Sequence, residues 1–152
     1  IEYLASGLEC RVIFLDHLSI LLSGLDGDER RMIDSTMTRL RSLVERTGIT
    51  LYLVSHLRRS NSDSNSHEEG GRVSLGQLRG SHSISQISDT VIALERDQQS
   101  EDANNVTTVR VLKNRYSGEV GVATRLTYDL STCNFYETTK DEQPEFDPTV
   151  DF

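Results

Sequence analysis

Cysteine is scarce in this chain: of 152 residues only Cys10 and Cys133 carry a thiol. They lie far apart and make neither a metal-binding pair nor a disulfide framework, so a reducing compartment, the cytoplasm, is expected. Long apolar runs are lacking as well. None approaches the roughly 20 residues of a membrane-spanning helix, and no basic-then-apolar leader opens the chain, so a membrane is not an expected partner. Proline is confined to Pro144 and Pro148, inside a stretch (141–152) that holds five carboxylates, no base and too few apolar residues to fold alone. That tail carries much of the net charge of −8, and the body without it is only mildly acidic. Overall charge therefore argues neither for nor against nucleic acid, which needs a local basic strip. What remains, 36% hydrophobic and 26% charged, is globular and long enough for one domain with a real core.

The organising stretch is Val12-Ile13-Phe14-Leu15-Asp16-His17. Four apolar residues ended by an acid predict a strand buried on both faces, of the kind found in parallel sheets. Open α/β sheets place ligands at such carboxyl ends. Before it, Ile1 to Gly7 reads as the end of a helix continuing from an upstream part, since Ile1 is not a natural start. His17 to Gly27 reads as a loop. Met32, Ile33, Met37, Leu40, Leu43 and Val44 recur at helical spacing and predict a helix from about Asp28 to Arg46. Arg30, Arg31, Arg39, Arg41 and Arg46 should face water, with Asp26, Asp28 and Glu29 at the start and Gly48 as a left-handed cap. Ile49 to Val54 is a second buried strand ending in Ser55-His56, which completes a βαβ unit with parallel strands and a right-handed crossover.

Residues 58–74, rich in Ser, Asn, Gly and charge, read as a loop. Structure resumes at Val73 to Leu78, then a short helix through Ile84, Ile87 and Ser88, and a third strand at Val91 to Leu94. Val106 to Leu112 and Val120 to Tyr128 alternate around a turn at Lys113 to Gly118 and predict an antiparallel hairpin on the sheet's edge. A last short strand covers Asn134 to Glu137.

Several residues carry chemistry in this frame. In P-loop nucleotidases an acid placed like Asp16 holds the magnesium that bridges the phosphates; the bland alternative is an ordinary strand-to-helix junction. His56, ending the neighbouring strand, is suited to hydrogen-bond a γ-phosphate and report its loss, against the commoner case of a histidine satisfying loop carbonyls. Lys113, Arg115 and Tyr116, followed by Gly118, suit presentation of charge to a neighbour's nucleotide, and an arginine there offers a planar, permanently charged fork. The alternative is a pair of solvated cations. Arg79-Gly80-Ser81 joins a base, a flexible residue and a hydroxyl, a combination able to grip a phosphodiester; a capped turn explains it equally well. Arg58 and Arg59 extend the basic character into a loop that also carries Asp63, Glu68 and Glu69.

Taken together, VIFLDHLSI, DERRMID, VSHL, HEEG, LRGS, QISDTVIALERDQQ and VLKNRYSGEVG, in this order and ahead of an acidic tail ending Asp-Phe, resemble the C-terminal half of a RecA-type hexameric replicative helicase of the DnaB-like superfamily. The likeness is to the bifunctional helicase–primase of short-tailed phages, and it runs over essentially the whole chain. It implies an α/β fold, the C-terminal portion of a RecA-like P-loop NTPase core, with a mainly parallel sheet, an antiparallel edge hairpin and flanking helices. Residues 1–138 would form this portion and 139–152 an acidic, disordered tail.

By this resemblance Asp16 is the Walker B aspartate supporting Mg2+, His56 the γ-phosphate sensor, and Gln86 the glutamine that relays nucleotide state to the DNA loops. Arg115 is the arginine finger given to the neighbouring subunit's ATP or dTTP, with Lys113 beside it, and Arg96 and Tyr128 sandwich the base. Arg79, Gly80 and Ser81 face a central channel that passes single-stranded DNA. The tail, with Asp151 and Phe152, docks the replicative DNA polymerase. The implied whole is a homo-oligomeric ring, a hexamer, working 5′→3′ in the bacterial host cytoplasm. Two departures stand out. The loop after His56 lacks the lysines this family places there, leaving Arg58 and Arg59 as substitutes by position. No G-x-x-x-x-G-K-[ST] phosphate loop is present; it and the catalytic glutamate would precede Ile1, so the chain reads as a fragment inactive by itself. The runner-up readings are a RecA-like recombination or assembly ATPase and a non-catalytic binding module.

Overall fold

The computed structural model describes residues 1–22, 27–58, 67–78 and 82–138. It divides into two compact units, residues 1–61 with 74–91, and residues 62–73 with 92–152.

The first unit is built on strands β1 (Val12–Leu15) and β2 (Thr50–Leu53), paired in parallel with Val12 opposite Thr50 and Leu15 opposite Leu53. The helix between them, α3 (Glu29–Thr47), starts where the Asp28 carboxylate accepts a hydrogen bond from the Arg30 amide at 3.0 Å. It stops at Gly48, whose φ of 67° and ψ of 20° place it in the left-handed region while its amide donates to the Val44 carbonyl at 2.8 Å. Along α3 the residues at helical spacing, Ile33, Met37 and Leu40, are buried, and Met32 packs against the same cluster. Each such side chain removed from water stabilises the fold by roughly 1.5–3 kcal/mol.

Two expectations change here. Residues 18–22 form a short helix, α2 (Leu18–Leu22), rather than part of a loop: Leu18 and Leu22, four apart, both drop into the core, and that tertiary burial outweighs the weak local signal. Arg41 does not face water freely. Its guanidinium lies 2.6 Å from Asp89 and 2.7 Å from Glu45, tying α3 to the segment after α4 (His82–Ile87), and both hydrogen bonds, Glu45 first, raise its pKa further. Arg46 reaches Glu2 of α1 (Glu2–Ser6) at 2.6 Å.

The strands differ from expectation as well. Leu15, Leu51 and Leu53 pack against the core cluster, whereas Phe14 is 72% and Tyr52 49% exposed, their rings stacked on each other at 4.7 Å. Among the described residues, α2, α3 and α4 deliver their apolar side chains to one side of this pair, and Phe14 and Tyr52 stand on the other.

The second unit is built on a four-stranded sheet in the order β3 (Thr90–Glu95), β4 (Val106–Asn114), β5 (Gly121–Asp129), β6 (Asn134–Glu137). The expected hairpin is β4–β5, flanked by β3 and β6 instead of standing at an edge, and a bulge falls between Val109 and Arg110. Its interior is partly polar. Glu95, with a side chain only 6% exposed, accepts from Arg110 Nε at 2.9 and 3.0 Å and from the Val73 amide at 2.9 Å. The HEEG stretch docks on the segment after β3: the Gln98 amide donates to the Glu68 carbonyl, and Glu69 bridges Asp97. Gly70 is required there, since with φ of 75° a Cβ would meet the Asp97 side chain at 3.0 Å. Thr127 and Thr138 join hydroxyls at 2.9 Å. Cys10 and Cys133 are both free thiols. Among the described residues no helix is long and apolar enough to cross a membrane.

Two stability measurements follow from this geometry. Gly48→Ala, with open space around the new methyl but the wrong sign of φ, should cost about 1 kcal/mol in urea denaturation. Glu95→Ala, which leaves the Arg110 guanidinium buried without its carboxylate, should cost about 3 kcal/mol, with Glu95→Gln intermediate.

Candidate nucleotide and DNA site

The parallel ladder extends beyond both strands. Thr50 donates to the Arg11 carbonyl, Val54 to Leu15 and Leu18 to Val54, at 2.8, 2.9 and 3.1 Å. These bonds hold 16–18 beside 54–56, so the carboxyl ends of β1 and β2 emerge together. Asp16 is exposed at this end. The imidazoles of His17 and His56 lie against each other, centroids 4.1 Å apart with their planes tilted by 37°. His17 Nδ1 is shut off from solvent without a hydrogen-bond partner. Sequence reasoning missed His17, although its signal was present: each strand ends in an X-His step, Asp16-His17 and Ser55-His56.

The chain just past His56 is tied by its backbone to the chain just before Arg79. Leu57 bridges Leu78, and the Arg58 amide donates to the Gln77 carbonyl at 2.8 Å. Leu75–Gln77 is a single 3₁₀ turn closed by a capping box between Ser74 and Gln77. Arg58 itself is exposed. Gln86 is exposed on α4, two residues beyond the buried Ile84 that seats this helix in the core. Arg59, Arg79, Gly80, Ser81, Asp151 and Phe152 lie outside the described residues.

The other candidates sit in the second unit. Pairing between β4 and β5 ends at Val111–Gly121, and 112–120 project beyond it. Lys113 is half-buried near the end of β4, and Arg115 opens the exposed turn. That turn is organised by a residue the sequence reading passed over. Asn114 Oδ1 accepts from the Tyr116 amide at 3.0 Å and the Ser117 amide at 3.4 Å, while its Nδ2 donates to Ser117 Oγ at 2.8 Å. Gly118, at φ of 74°, closes it onto the Asn114 carbonyl. An asparagine bonding its own backbone two and three residues on is a recognisable turn signal. Arg96 is exposed directly after β3. Tyr128 is half-buried on β5, its ring 4.9 Å from Phe135 of β6. A hydrogen bond with the Cys133 thiol, then burial and the charge of Asp129, lift its phenol above the ordinary range. Asp129 is held low by the Ser131 hydroxyl and amide and the Thr132 hydroxyl.

No group of three or more metal-ligating side chains occurs among the described residues. The exposed Asp16 carboxylate is nonetheless a hard oxygen donor of the kind Mg2+ takes, because that ion is usually held by one or two carboxylates with waters and substrate phosphates.

The parallel strands joined by a helix, with an acid and imidazoles after their shared carboxyl end, are part of a RecA-like α/β fold. A solved ATPase domain of another protein has this fold, with a TM-score of 0.65 and 22% identity over 84% of this chain and 44% of that one. A family model described as "DnaB-like helicase C terminal domain" matches residues 3–137, and the chain belongs to that family. The DNA helicase/primase of Enterobacteria phage T3 is 44% identical over 133 residues, 87% of this chain and 23% of the relative. The chain thus spans about a quarter of that protein's length.

Proposed function

We propose that this chain is the C-terminal part of a replicative 5′→3′ DNA helicase that couples nucleoside triphosphate hydrolysis to movement along single-stranded DNA. The observation that carries the reading is the common carboxyl end of β1 and β2, where Asp16, His17 and His56 emerge together. Family membership and the phage relative support it.

In this reading ATP or dTTP binds between subunits of a homo-oligomeric, hexameric ring. Asp16 would hold Mg2+, which would supply neutralisation of phosphate charge. Arg115, on a turn stiffened by Asn114, places its fork against phosphoryl charge on the adjacent subunit's nucleotide, with Lys113 nearby. Arg96 and Tyr128 hold the base. His56 and Gln86 respond to loss of the γ-phosphate. The Leu57–Leu78 bridge offers a short backbone route from His56 to Arg79, Gly80 and Ser81, which contact DNA together with Arg58 and Arg59. The acidic tail ending in Asp151-Phe152 docks the replicative polymerase, and the work is done in the bacterial host cytoplasm.

Arg115→Ala in the complete protein should lower DNA-stimulated hydrolysis by roughly 10³-fold or more, the usual worth of an arginine finger. An unchanged steady-state rate removes Arg115 from that role. Deleting 141–152 should weaken retention of the polymerase on the helicase, most visibly at low salt where exposed charges are least screened, and leave hydrolysis intact. Equal retention with and without the tail rules the docking out.

A further inference from the structure

We propose that His17 is the positioning residue that holds the His56 imidazole in its working orientation, an inference that rests on the sensor reading of His56. The two side chains differ in how they are held. His17 is anchored by the chain that follows it: the Leu18 amide donates to the Val54 carbonyl at 3.1 Å, and the Leu18 side chain, 2% exposed, is sunk in the core. His56 stands at the exposed end of the neighbouring strand, with its ring against the His17 ring at 4.1 Å.

The rings meet with centroids 4.1 Å apart and their planes 37° from parallel. Nδ1 of His17 is enclosed without a hydrogen-bond partner, so no bond at that edge fixes the ring. A buried nitrogen left unpaired is costly, and this pairing gives that cost a purpose. A flat ring on one strand tip, next to the core-anchored Leu18, restricts the rotamers of the imidazole on the other. A sensor that must meet a phosphate oxygen within a few tenths of an ångström depends on that kind of support.

The experiment compares His17→Ala, His17→Phe and His56→Ala in the complete helicase, measuring kcat and KM for nucleotide hydrolysis with and without single-stranded DNA, alongside thermal unfolding. An aromatic pair contact converts to about a 3- to 10-fold effect. His17→Ala should lower DNA-stimulated kcat by that factor with KM and unfolding temperature unchanged, and His17→Phe, which keeps a flat ring, should restore most of it. The proposal is overturned if His17→Ala keeps the parent kcat while His56→Ala is impaired, if the loss lies in KM or in unfolding temperature alone, or if Phe restores nothing. A His56→Ala protein as active as the parent instead removes the sensor reading, and the role of His17 with it.

Discussion

Parallel pairing of β1 with β2 is the constraint on which the first unit depends. Parallel strands need a crossover between them, and α3 supplies it. Once Val12 lies opposite Thr50 and Leu15 opposite Leu53, the residues following each strand must emerge at the same end. An antiparallel pairing of the same two segments would send Asp16 and His56 to opposite ends. The backbone bonds past Leu15 and Leu53 then carry the register into 16–18 and 54–56. That is how an acid and two imidazoles separated by about forty positions in the chain become neighbours.

Each unit is stabilised internally by different physics. In the first, apolar side chains of α2, α3 and α4 form one cluster under the strand pair, and ion pairs from Arg41 and Arg46 secure its periphery. In the second, fully buried apolar side chains are few, and much of the organisation comes from the β ladder and from the Glu95–Arg110–Val73 bonds. Candidate residues follow this division. Asp16, His17, His56 and Gln86 belong to the first unit, and Arg96, Lys113, Arg115 and Tyr128 to the second.

Much of this was legible in the residues. Periodicity marked α3, its capping residues marked the ends, and alternation marked β4 and β5, because these signals are local and repeat over many positions. Short elements were harder. Leu18–Leu22 has too few residues for periodicity to separate a helix from an apolar loop, and only burial of Leu18 and Leu22 decides it. Arg41 looked like its neighbours Arg39 and Arg46 because nothing in the helix reveals that Asp89, far along the chain, lies within reach. The expectation of two covered strand faces came from an unbroken apolar run, and such a run does not say on which side the chain places its helices.

The sequence by itself determined the family, the order of the elements, and the chemical types available at strand tips and in the hairpin turn, since side-chain chemistry and local propensity are written residue by residue. Only the tertiary structure decided that His17 faces His56, that Asn114 braces the turn carrying Arg115, and that Leu57 bridges Leu78. Contacts across strands, and the bonds that set a turn's shape, depend on register and on backbone geometry, and these arise when distant segments pack.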